Sequence, residues 1–285
     1  MQFEFAGAFP VADGRYLARA EGEEGRQQVL VTETLGAPSP SGRRRRRPRP
    51  TTDPPDPGGL PMARITAVRA FRPFDDEEDA ARWLEGAAGD EELVEELAAE
   101  GIDLLNRALH AQAAASADPH VHEVAAASAV AARLGYGRGE EVAEGRFTKA
   151  YEVDLRKAVS RARRKADELR PQERVAAVLG GREHLDACET LLLRARADID
   201  AGRSREAALQ LRIGLEALLA ELPGALTDPG HEGDIAQLQE RRSAAGDAAN
   251  LALRGPLPTE QEQSVLELLE LCERVLRRRR ILRGG

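Results

Sequence analysis

The chain has 285 residues, enough for one large or two modest domains that each bury a core. Hydrophobic residues at 42% and charged residues at 32% describe a folded chain rather than a disordered one. A formal net charge of −8 excludes a surface that is basic throughout, and two cysteines, Cys188 and Cys272, exclude a disulfide framework and point to a reducing compartment.

The opening residues Met1 to Phe5 lack the basic and apolar blocks of a signal peptide, and no apolar run approaches the roughly 18 residues of a membrane span. A cytoplasmic protein with no membrane contact is expected. Charge is unevenly placed. Between Asp75 and Glu100 there are twelve acids against the single base Arg82, while positive charge gathers at Arg43–Arg47 with Arg49, at Arg161–Lys165 and at Arg277–Arg280. Only Lys149, Lys157 and Lys165 are lysines, a skew that fits a GC-rich genome and weakens any functional reading of an arginine run. Aromatic residues are sparse at 4%, and most precede residue 75, so the remainder must build its core from Leu, Ala and Val.

In chain order, the first 35 residues read as a β-meander. Gln2 to Ala8 carries alternating Phe3 and Phe5, Asp13-Gly14 signals a hairpin turn before Arg15 to Ala20, and Gln28 to Thr34 is a third strand. Prolines at 38, 40, 48, 50, 54, 55 and 57 preclude a regular element over 37–60, which reads as a disordered insertion. Ala63 to Phe71 returns to strand chemistry and is expected to pair with the first three strands, which makes the Pro/Arg-rich tract a long loop.

From Asp75 the pattern is helical. Asp75 to Leu84 opens with acids, as suits a helix N-terminus, and Glu91 to Ala111 spaces Val94, Leu97, Leu104, Leu105 and Leu109 at helical intervals. Asp118-Pro119 reads as the start of a helix that runs to Leu134 and stops at Gly135-Tyr136-Gly137-Arg138-Gly139. Narrow apolar stripes then mark Leu155 to Leu169 and Leu185 to Ile199. Gly202 and Ser204 make a tight turn to Arg205–Glu221, Asp234 to Leu253 is a single Ala-rich helix, and Thr259 with Glu262 forms a capping box for the last helix.

Ala195, Gly202, Ala207, Leu211 and Ala217 give the segment from Ala195 to Leu219 a pattern that resembles one tetratricopeptide repeat. The resemblance implies peptide or protein binding along a helical groove. No neighbouring stretch repeats the pattern at the roughly 34-residue period of such arrays.

The common catalytic signatures are missing. None of the lysines follows a glycine as a phosphate loop requires, His122-Glu123 and His231-Glu232 lack the second histidine of a zinc-protease helix, and there is neither a Cys-x-x-Cys nor a Gly-x-Ser-x-Gly. His120, His122, Asp118 and Glu123 would converge on a metal only if extended, and the expected helix start spoils that convergence. Gly135 to Gly139 imitates a dinucleotide loop, but a helix rather than a strand is expected before it, so it reads as a helix end with a turn and leaves Tyr136 near a shallow cleft. Glu91 with Glu95 and Glu92 with Glu96 are one helical turn apart and read as surface acids. Cys188 and Cys272 lie on apolar stripes as core thiols. No catalytic, cofactor or metal residue is assigned, and no cofactor is expected.

The expected architecture is α+β and predominantly α, with a small N-terminal antiparallel sheet followed by a helical bundle. Its parts are a β domain at 1–74 that carries the 37–60 insertion, a helical region at 75–154 and a C-terminal bundle at 155–285. The expected function is that of a non-enzymatic interaction or adaptor protein working through helical surfaces, with a protein partner or a second copy of itself. The first alternative is nucleic-acid association through Arg43, Arg44, Arg45, Arg46, Arg47 and Arg49 together with Arg277–Arg280. The second is an enzyme of unfamiliar type, which would need a cleft near Gly135–Tyr151 or His120–Glu123.

Overall fold

The computed structural model describes residues 1–19, 27–36, 61–70, 73–155, 171–221 and 229–283. The Pro/Arg-rich tract 37–60 and the stripe beyond Leu155 lie outside the described residues. The chain divides into two compact units, Met1–Arg161 and Ala162–Gly285.

The N-terminal unit is built on one antiparallel sheet. Its strands are β1 (Gln2–Ala6), β2 (Gly14–Arg19), β3 (Gln27–Leu35), β4 (Met62–Arg69), β5 (Ala131–Tyr136) and β6 (Lys149–Glu152), in the order β2-β3-β4-β1-β5-β6. Phe3 and Phe5 of β1 face Ile65 and Ala63 of β4 in register, and Ala132 of β5 faces Phe3 from the other flank. These side chains share one side of the sheet because strand residues alternate faces. Against that side pack α1 (Glu77–Gly89) and α2 (Glu91–Ser116), contributing buried Leu84, Leu97, Leu105 and Leu109. Phe3, Ile65, Leu84 and Leu105 are wholly buried, and each contributes about 1.5–3 kcal/mol by leaving water.

The helices begin where their acids dictate. Asp76 accepts from the Asp79 amide at 2.8 Å, and Asp90 accepts from the Glu92 and Leu93 amides at 3.1 Å. The chain leaves α2 through Ala117, whose left-handed φ of 51° ends the helix.

The helix expected over Asp118–Leu134 does not form. The Asp118 side chain accepts from the His120 amide at 2.9 Å in a turn, and a short 3₁₀ turn occupies Ala126–Ser128. Asn106 of α2 binds both backbone groups of Val124, donating to its carbonyl at 3.0 Å and accepting from its amide at 2.9 Å. Beyond that pairing Ala125 and Ala129 are extended on either side of the 3₁₀ turn, and the chain continues into β5. There Ala132 and Leu134 point to the core with Arg133 between them, a period of two that an Ala-rich helix reading overlooks. A five-residue helix α3 (Gly139–Ala143) and β6 complete the sheet. Gly145 then reaches the opposite face, where its carbonyl accepts from Gln2 Nε2 at 2.6 Å.

The second unit is helical. It contains α4 (Pro171–Leu179), α5 (Ala187–Asp200), α6 (Ser204–Glu221), α7 (Pro229–Glu240), α8 (Arg242–Ala252) and α9 (Thr259–Arg283). Its core joins Cys188, Leu192 and Ala195 of α5 to Leu211 and Leu215 of α6, Ala245 and Ala248 of α8, and Leu269, Cys272 and Val275 of α9. Small residues on α8 let it approach α6, and the paired stripes of α5 and α6 form the expected helical hairpin.

Two sequence readings change here. The helix expected over Asp234–Leu253 breaks at Arg241, so two helices replace one. Glu262, expected to cap its own helix, accepts from the Ser204 hydroxyl of α6 at 2.6 Å. Among the described residues no helix is long and apolar enough to cross a membrane.

Candidate functional site

The ends of four strands and two helix faces enclose a cavity of about 1010 Å³ in the N-terminal unit. It lies where β1 and β3 begin and β4 and β5 end. Met1 stands just ahead of β1, β3 supplies Gln28, and β4 supplies Ala67, Val68 and Arg69. Helix α1 presents Glu77, Ala80 and Trp83, and α2 presents Leu97, Glu100, Gly101 and Leu104, spacings that put each set on one helix face. The fourth wall runs from Leu134 to Gly139 and includes Val142 of α3 and Phe147.

Apolar side chains dominate this lining. Trp83 and Phe74 stand with ring centroids 5.2 Å apart at 45°, and Phe74 is partly exposed at the cavity edge. The depth of the cavity depends on Gly101. A methyl group there would sit 2.9 Å from Cε2 of the buried Phe3 ring, so only glycine lets α2 lie this close to the sheet.

Both arginines at the cavity wall are paired. Glu100 accepts from Gln28 with one carboxylate oxygen and from Arg69 with the other, and Glu96 lies 3.8 Å from Arg69. Arg138 pairs with Glu77 on the α1 side, and Asp76 is engaged in capping α1. The amino group of Met1 donates to the Ala67 carbonyl at 3.0 Å. Burial, helped by Arg69 and opposed by Glu100, lowers that amine from 8.0 to about 5.

Gly135 to Gly139 therefore belongs to a concave site, and the expectation that a helix precedes it is corrected: strand β5 precedes it and α3 follows. It is still no phosphate cradle. The sheet is antiparallel, a Cβ on Gly135 would lie 2.7 Å from the Lys149 carbonyl and 2.8 Å from Phe147, and one on Gly137 would run into Val142. These glycines admit the chain's own return strand, and Glu140 and Glu141 stand immediately beyond them.

The other sequence candidates do not converge. His110, His120 and His122 are exposed, and among the described residues no cluster of His, Cys, Asp and Glu is arranged to hold a metal ion. Arg43, Arg44, Arg45, Arg46, Arg47 and Arg49 lie outside the described residues. Three of the four arginines at 277–280 are committed to the bundle: Arg278 pairs with Asp234 at 2.7 Å, Arg279 with Asp186 at 2.8 Å and Arg280 with Glu189 at 3.1 Å. Arg279 is 4% exposed, which withdraws it from any polyanion footprint.

Glu189 is the hub of that network. It accepts from Arg174 at 2.6 Å and from its own helix's Asp186 amide at 3.3 Å. Burial alone would raise its pKa, but hydrogen bonds and charge from Arg174 and Arg280 outweigh burial and hold the carboxyl below its usual value. Cys188 and Cys272 are both buried, and burial pushes the Cys188 thiol far up and the Cys272 thiol to about 12. Neither has the character of a nucleophile.

Comparison of the chain with protein-family models, with curated proteins and with solved structures gave no match.

Proposed function

We propose that the protein acts by binding rather than by catalysis, and that the cavity at the end of the six-stranded sheet receives a small molecule. The observation that carries this is the lining itself: apolar and aromatic side chains from six segments around one volume of about 1010 Å³, with Arg69 and Arg138 paired to Glu100 and Glu77. Sites of this size and composition are where proteins hold organic ligands.

Trp83 is the protein's one tryptophan and lines the cavity, so it reports occupancy directly. Titration with N-phenyl-1-naphthylamine, an uncharged apolar fluorophore, is expected to quench Trp83 and to excite the probe by energy transfer. At about 0.3 kcal/mol for each of about 17 non-hydrogen atoms, its Kd falls near 0.2 mM or tighter. Leu104→Phe and Val142→Phe fill the cavity from opposite walls and are expected to weaken binding at least about ten-fold. Undiminished binding by both folded variants contradicts the assignment.

A second reading places a protein partner, or a second copy of the chain, on the helical unit. Helix α4 buries no residue, and its Val175 and Leu179 are 57% and 83% exposed. Light scattering across a wide concentration range tests it. Association that Val175→Glu with Leu179→Glu abolishes supports the reading, and a monomer throughout contradicts it.

A further inference from the structure

We infer that the ligand of the N-terminal cavity is an uncharged, ring-bearing molecule. This rests on the binding role proposed above and adds the chemical class. The argument is one of charge matching. Both oxygens of Glu100 are occupied, one by Gln28 and one by Arg69, and Arg69 has Glu96 as a further neighbour at 3.8 Å. Across the cavity, Arg138 is held by Glu77.

An anionic ligand would have to compete with Glu100 for Arg69 or with Glu77 for Arg138. A cationic ligand would compete with the arginines for Glu100 and Glu77, and Asp76 already accepts from the Asp79 amide at the start of α1. Such an exchange gains little, because it trades one solvent-accessible ion pair for another. A neutral ligand disturbs none of these pairs.

The preference for rings comes from the walls. Trp83, Phe74, Tyr136 and Phe147 supply aromatic surface on two sides of the volume, where flat ligands gain contact with little loss of side-chain freedom. Leu97 and Leu104 of α2 form the side between them.

Two probes that share one ring system separate charge from shape. N-phenyl-1-naphthylamine is neutral, and 8-anilinonaphthalene-1-sulfonate is the corresponding anion. Each is titrated into the full chain, with energy transfer from Trp83 as the signal. The neutral probe is expected to bind at least about ten-fold tighter, because the sulfonate finds no uncommitted cation. Equal or tighter binding of the sulfonate overturns the inference about charge while leaving the cavity as the site. Failure of both probes to receive energy from Trp83 overturns the binding role itself.

Glu100→Gln sharpens the test. It leaves Arg69 with only the more distant Glu96, and the ratio of neutral to anionic affinity is expected to fall by about ten-fold. A ratio unchanged in the folded variant, checked by circular dichroism, contradicts the charge-matching argument. The wild-type comparison decides the class if that variant does not fold.

Discussion

Replacing Gly101 with Ala tests the packing on which the cavity depends. Within a helix this substitution ordinarily stabilises by about 0.5–1 kcal/mol, because the unfolded chain loses freedom it would otherwise regain. At position 101 the new methyl group meets Phe3 Cε2 at 2.9 Å, Phe3 Cζ at 3.2 Å and the Ala67 Cβ at 3.4 Å. Phe3 is wholly buried, and its strand is paired with β4 on one side and β5 on the other, so its backbone cannot retreat. Overpacking of this kind costs about 1–3 kcal/mol, which outweighs the helix gain and leaves a net loss of about 1 kcal/mol.

Gly86 of α1 is the control. A Cβ there meets nothing within 4 Å, so Gly86→Ala is expected to stabilise by about 0.5–1 kcal/mol. Urea unfolding followed by Trp83 emission reads the N-terminal unit alone. With a slope of about 1–3 kcal/mol per molar, the two variants' midpoints separate by about 1 M, with wild type between them. Equal stabilisation by both would refute the close approach of α2 to Phe3 and, with it, the shape of the cavity.

The thiols Cys188 and Cys272 are expected to resist a thiol-specific disulfide reagent at pH 8 in the native protein and to react within seconds in denaturant; rapid native labelling would contradict their raised pKa values. The depressed pKa of Glu189 sets a sign for pH dependence. Its stabilising contribution is fully present above its unfolded pKa near 4.5 and is lost as pH falls through the lower folded value, so the helical unit weakens on acidification and Glu189→Gln flattens that slope in thermal melts. Arg279→Ala removes a buried side chain and its ion pair with Asp186, and a loss of about 2–3 kcal/mol is expected, against less than about 0.5 kcal/mol for the exposed Arg277→Ala. Comparable melts for those two variants would show that Arg279 is not embedded.

The elements that were legible in the sequence are those whose local chemistry agrees with their packing. Phe3 and Phe5 alternate and acids open the first helices, so the first four strands and the first two helices follow from short-range signals; the hairpin expected at Asp13-Gly14 does not form, because β2 pairs with β3 while β1 lies between β4 and β5. The fifth strand does not. Ala131 to Tyr136 lies in an Ala-rich stretch whose local preference is helical, and its strand form comes from pairing with β1 more than a hundred residues earlier and from Asn106 engaging both backbone groups of Val124. The cavity was illegible for a related reason. Its walls come from β1, β3, β4, α1, α2 and the β5–α3 turn, and no one of these segments carries a motif. Gly101 in mid-helix and the Gly135–Gly139 turn were the local signals available, since both mark places where another part of the chain comes close. The arginine run at 277–280 could not show its partners: Asp186, Glu189 and Asp234 are brought to Arg279, Arg280 and Arg278 only by the fold.

The central claim is that the sheet-end cavity is the binding site. The direct measurement is a heteronuclear NMR titration of the full chain with N-phenyl-1-naphthylamine. Shift changes concentrated at the Trp83 indole, the Gly135, Gly137 and Gly139 amides and the methyl groups of Leu97 and Leu104 are the predicted result. Changes that leave these signals in place, or that gather on α4 to α9, would contradict the account.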